Sequence, residues 1–114
     1  MAPEENDPPG WVFVAARVLD THAMAQLASS VDRLRASGRD RVVVDLSGVV
    51  DIDTRAVVLL SELGEHHARP RRVILTGLSE RLKFVVRSTM LDAFFDVRDD
   101  VSALGSEPPD AEKK

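Results

Sequence analysis

Residues Arg41–Leu46 read Arg-Val-Val-Val-Asp-Leu, a β-branched run between two segments of helical periodicity. A strand that is apolar at successive positions has no polar face to turn to water, so both its faces must be covered. Parallel sheets meet that demand, because each crossover connection lays a helix over the sheet. The run therefore predicts a buried central strand in an α/β domain.

The rest of the chain fits this frame. Trp11–Val18 is apolar and rich in β-formers and reads as a strand. Asp20 and Thr21 then offer N-caps. Met24, Leu27, Ala28, Val31 and Leu34 recur at spacings of three and four, one face of a helix that runs to Ala36 and stops at Ser37-Gly38. Ser47-Gly48 breaks the central strand. Val49–Asp53 reads as a loop ending on a capping residue. Thr54–His66 reads as a helix with Val57, Leu60, Leu63 and Gly64 inward, and Pro70 forbids its continuation. Arg72–Thr76 is the next strand, Gly77 a turn, and Ser79 the cap of a third helix carrying Leu82, Val85 and Val86. Phe94–Val97 reads as a short last strand, with one ring of Phe94-Phe95 in the core and the other near the surface. Asp99–Leu104 reads as a closing helix. The alternation predicts βαβ crossovers, a mainly parallel sheet of four or five strands and about four helices. Partner sites in such folds lie beyond the carboxyl ends of the strands, which directs attention to Ser47–Arg55.

A chain of 114 residues is one domain's length. Residues 1–10 and 105–114 are rich in proline and charge and read as a disordered lead and tail, leaving 11–104 as the folded unit. No internal repeat is visible. Aromatics are only 4% of residues, so the core must be aliphatic. The absence of cysteine excludes disulfides, thiolate nucleophiles and Cys-ligated zinc. A net charge of -4 argues against general phosphate-backbone binding. No apolar run approaches the ~18 residues that span a bilayer, and residues 1–10 are the opposite of a signal peptide. A cytoplasmic protein without membrane insertion is the expectation.

Catalytic and metal constellations are weak. There is no G-x-S-x-G elbow and no glycine-rich phosphate loop. No nucleophile, base and oxyanion set assembles from these residues, so neither enzyme activity nor a cofactor is expected. His66 and His67 are adjacent on a helix, where side chains point about 100° apart and do not easily share one ion. With His22 distant, they read as a solvated helix end, which suits the dipole, and no metal is expected. Arg69, Arg71, Arg72, Arg81, Lys83 and Arg87 read as a solvated basic face, with no nucleic acid as a direct partner.

An ordered set of short motifs carries a resemblance. Val42-Val43-Val44-Asp45-Leu46-Ser47 is followed by Gly48-Val49-Val50-Asp51-Ile52-Asp53-Thr54-Arg55-Ala56, then Val57-Val58-Leu59-Leu60. Val18-Leu19-Asp20 lies upstream. Leu75-Thr76-Gly77-Leu78-Ser79, Leu91–Val97 and Ala103-Leu104 lie downstream. From about Trp11 to Leu104 the chain resembles the STAS domain, shared by bacterial anti-sigma-factor antagonists and the cytoplasmic tails of sulfate transporters. It departs from that pattern at Arg17 and Ala56, where glycine is usual, and at Arg55, where a hydroxyl residue is usual.

The resemblance implies a non-enzymatic interaction module, an anti-sigma factor antagonist that binds an anti-sigma factor acting as a serine kinase. Partner contacts are implied at Asp51, Asp53, Thr54, Arg55, Ala56 and Val58. In the best-known antagonists the phosphorylated serine aligns with Arg55. Another group in the family relies on the residue before it, which leaves Thr54 as the phosphorylation candidate. Phosphate there would meet the unpaired N–H groups and partial positive charge of a helix start, with Arg55 beside it, and would add about −2 charge to a docking surface without unfolding it. The bland alternative is that Asp53 or Thr54 is simply the N-cap. Asp51 reads as a solvated loop acid. Other members imply an accessory subunit of a lipid ABC transporter or a stressosome-like complex, or a domain binding a small anion or nucleotide. The homo-oligomeric state stays open.

Overall fold

The structure is a computed structural model and describes residues 9–39, 41–67 and 73–99. The order of elements is β1 (Gly10–Phe13), β2 (Val18–Leu19), α1 (Thr21–Ala36), β3 (Val42–Asp45), β4 (Asp51–Ile52), α2 (Thr54–His66), β5 (Val73–Thr76), α3 (Glu80–Ser88), a 3₁₀ turn (Leu91–Ala93) and β6 (Asp96–Val97). Four strands form one sheet in the order β1-β3-β5-β6, and every pairing in it is parallel. β2 and β4 form a separate parallel pair.

The β-branched run sits where its composition requires. Val42, Val43 and Val44 of β3 have no exposed surface. Val42 and Val44 join Val73 and Leu75 on the face that receives Leu27 and Val31 of α1 and Leu60 of α2. Val43 points the other way, into a smaller cluster with Ile74 and half-buried Trp11. Burying one such side chain stabilises by roughly 1.5–3 kcal/mol, so these three positions anchor the sheet.

α1 begins and ends on the expected signals, and α3 begins on its own signal but ends at Ser88, ahead of Leu91-Asp92. Asp20 caps α1, its carboxylate accepting from the Ala23 N–H at 2.9 Å. Ser37 and Gly38, the latter at φ 100, end it. Ser79 caps α3 by accepting from the Leu82 N–H at 3.2 Å. α1 lies on α2 and against β1, β2 and β3. Gly64 lets α2 approach the 3₁₀ turn region, since a Cβ there would fall 2.6 Å from the Phe94 Cβ and 2.8 Å from the Phe95 ring. Phe95 is in the core and Phe94 half-buried, as the sequence suggested.

Four expectations need correction or limits. The strand read over Trp11–Val18 is two strands in two sheets. After Phe13 the Val14 N–H still bonds the Asp45 carbonyl at 3.1 Å, but by Arg17 the chain has crossed to β4, where the Arg17 carbonyl accepts from the Val50 N–H at 2.7 Å. The loop read over Val49–Asp53 contains β4. The strand read over Phe94–Val97 shortens to Asp96–Val97, because Leu91 to Phe95 are taken up by the 3₁₀ turn and the bend after it. The described residues hold three α-helices rather than about four, and the closing helix expected over 99–104 lies outside them except for Asp99.

Candidate functional site

The motif segment is built as a folded ledge between β3 and α2. At the end of β3 the Asp45 carboxylate accepts from the Ser47 N–H at 3.0 Å, and the Leu46 N–H bonds the Thr76 carbonyl at 2.9 Å. Gly77, at φ 74, is pressed against this turn. A Cβ on it would lie 2.9 Å from both the Asp45 Oδ1 and the Ser47 nitrogen. Val49 goes into the core and Val50 stays exposed. β4 then ladders onto β2, with Val18 opposite Asp51 and Leu19 opposite Ile52.

Asp53 is the N-cap of α2. Its carboxylate accepts from the Ala56 N–H at 2.8 Å, its carbonyl accepts from the Val57 N–H at 3.1 Å, and its own N–H bonds the Leu19 carbonyl at 3.1 Å. This decides between the two capping candidates. Thr54 is the first helical residue, exposed, and among the described residues its hydroxyl has no hydrogen-bond partner. Arg55 follows it into solvent, and Val58, one turn on, is 53% exposed.

Ala56 departs from the partner-contact expectation. It is fully buried in the core cluster, so its contribution is to let the first turn of α2 sit down on the sheet. Arg17 is another departure from the family pattern with a local explanation. Among non-glycine residues described, only Met90 has a positive φ, so the backbone at Arg17 does not call for glycine.

Asp51, expected as a solvated loop acid, keeps part of its side chain in water but lies in β4 and is bonded on two sides. Its Oδ1 accepts from the Arg81 Nε at 2.9 Å and from the Ile52 N–H at 2.9 Å. These bonds, the Arg81 one foremost, hold its carboxyl below the ordinary value of 3.8. Arg81 belongs to the first turns of α3, and sequence reasoning placed it on a solvated basic face. Its position was recoverable in principle: the helix after β5 starts at the same sheet edge as the motif loop. The rest of the basic face is partly neutralised, with the Lys83 ammonium 3.3 Å from the Asp99 carboxylate. Arg69, Arg71 and Arg72 lie outside the described residues.

At the other end of α2 the reading of a solvated pair holds for His66 and fails for His67. The His67 ring is buried, and its Nε2 lies 2.8 Å from the Asp32 Oδ1 on α1.

The structure thus brings Asp51, Asp53, Thr54, Arg55 and Val58 to one surface, beside the exposed side chains of Val18 and Val50, which are each 44% exposed. The surface has a capped helix start, an exposed hydroxyl, a guanidinium at each side of the loop and an apolar rim. Such a surface is chemically suited to docking. Among the described residues no helix is long and apolar enough to cross a membrane.

The family model of the STAS domain matches residues 3–104. No curated protein matches the chain. Among solved structures, the fold is similar to that of a Thermotoga maritima protein proposed to be an anti-sigma factor antagonist, with a TM-score of 0.65 at 17% identity over 90% of this chain and 94% of that one.

Proposed function

This chain belongs to the STAS domain family, and from that premise we propose that it is an anti-sigma factor antagonist, a non-enzymatic module that docks an anti-sigma factor through the start of α2. The observation that carries the reading is the division of labour at that helix. Asp53 takes the cap, which leaves the Thr54 hydroxyl exposed and unbonded among the described residues. A phosphoryl group on Thr54 would therefore disturb no existing contact. It would meet the first-turn N–H groups and the Arg55 guanidinium, and it would add about −2 charge to the apolar rim of Val18, Val50 and Val58. A partner fitted to the neutral form would be repelled without any rearrangement of the domain. The partner on this reading is an anti-sigma factor with serine/threonine kinase activity, and the setting is cytoplasmic.

The test is to isolate the protein with its partners from native cells, then to compare Thr54→Glu with wild type. Co-purification of an anti-sigma kinase is expected. Thr54→Glu is expected to weaken its binding by about tenfold or more, with a melting temperature close to wild type. A Thr54→Glu variant that unfolds would instead assign Thr54 a structural role.

A second reading is favoured by Arg55, which fills the exposed position where antagonists usually carry the modified hydroxyl. On it, Thr54 is a permanent contact in an accessory subunit of a transporter or stressosome-like complex. Such a protein would co-purify with a transporter ATPase or homologous subunits and carry no phosphate at Thr54.

A further inference from the structure

The seam between α1 and α2 closes on three potential ligands at the far end of α2 from Thr54. Asp32 comes from α1, His66 is the last residue of α2 and His67 is its C-cap. One ligand atom from each lies within 4.8 Å of the other two. The His67 Nε2 is already 2.8 Å from the Asp32 Oδ1, and the two imidazoles stand edge to face with centroids 4.7 Å apart. The divergence of about 100° between adjacent helical side chains does not apply here. The helix ends at His66, and His67 has turned out of it at φ −108 and ψ 24. Arg35 fixes that turn by donating to the His67 carbonyl at 3.3 Å.

Two imidazoles and a carboxylate suit a borderline divalent cation. Metal–ligand bonds of about 2.0–2.2 Å in tetrahedral geometry place ligand atoms roughly 3.3 Å apart. Asp32 and His66 are exposed, so rotation of their side chains closes the remaining distance, while buried His67 supplies a fixed point. Glu62, one turn before His66, lines the same interhelical groove as Asp32 and His66. The fourth position is left to water. We propose that Asp32, His66 and His67 form a binding site for a zinc-class divalent cation that ties α1 to α2. The cation takes the place of the His67–Asp32 hydrogen bond: it accepts the Nε2 lone pair of neutral His67, whose one ring proton then sits on Nδ1, and a carboxylate oxygen of Asp32.

The test uses the untagged full chain, stripped with EDTA and titrated with Zn²⁺ by calorimetry and by thermal melting. One Zn²⁺ per chain is expected, with a melting temperature that climbs with the logarithm of free Zn²⁺. Asp32→Asn and His66→Ala, both at exposed positions, are expected to melt near wild type without metal and each to lose about tenfold or more in affinity. His22→Ala should bind as wild type does. A melting temperature that Zn²⁺ does not raise would overturn the site, and so would binding that survives in the Asp32→Asn/His66→Ala double variant.

Discussion

Asp51 and Gly77 hold the motif loop by unlike means, one by charge and one by lacking a side chain. The Asp51–Arg81 bond lies at the surface, with side chains 44% and 62% exposed, so it fixes geometry more than it adds stability. Because the folded carboxyl is lowered from 3.8, whatever the bond contributes is present above the unfolded value and is lost as pH falls through the folded one. Its window therefore lies below about pH 4. Arg81→Ala is expected to return the Asp51 titration toward 3.8, followed by its side-chain carbon shift in an acid titration, with little change in melting temperature. An unmoved midpoint would remove Arg81 as the cause. At Gly77 the left-handed backbone alone costs an L-residue roughly 1–2 kcal/mol, and the added methyl would also press on the Asp45 carboxylate and the Ser47 backbone. Gly77→Ala is expected to cost about 2 kcal/mol or more in urea denaturation. The turn residues were legible in the sequence, since glycine after a strand announces a turn. The Arg81 contact was not, because it joins residues 30 apart and no local spacing encodes it. The His67–Asp32 pair, 35 apart, escaped for the same reason.

The elements were legible where end signals are chemical and illegible where they are short. α2 begins and ends as expected because Asp53 caps it and its apolar positions keep one face for three turns. What the sequence left open was which of Asp53 and Thr54 performs the capping. The bond to Ala56 makes a direct prediction: Asp53→Ala should cost about 1 kcal/mol, and Thr54→Ala clearly less, by chemical denaturation. Equal costs would mean that the threonine shares the task. β2 and β4 have two residues each, too few for any alternation to declare itself. The apolar run Trp11–Val18 hid them further, because hydrophobicity reports burial and is silent on which sheet buries the residue. The same silence explains Ala56, whose place in the motif suggested a contact and whose actual surroundings are the core.

For the molecule as a whole, the parallel sheet with helices laid against it was predictable from three adjacent valines and the alternation around them. The division into two ladders was not. The smaller ladder shapes the domain more than its length suggests. Each of its strands runs straight into an aspartate cap and a threonine at the first helical position: Leu19-Asp20-Thr21 on one side, Ile52-Asp53-Thr54 on the other. The two helices therefore spring from one crossbar, additionally pinned by the Asp53 N–H on the Leu19 carbonyl. In mechanical language this is a yoke. A push on one shaft is felt on the other, so a charge placed on Thr54 should be audible at the head of α1. Amide shifts of Thr54→Glu are expected to move at Thr21–Met24 as well as at 54–57, and shifts confined to 54–57 would show that the crossbar has slack.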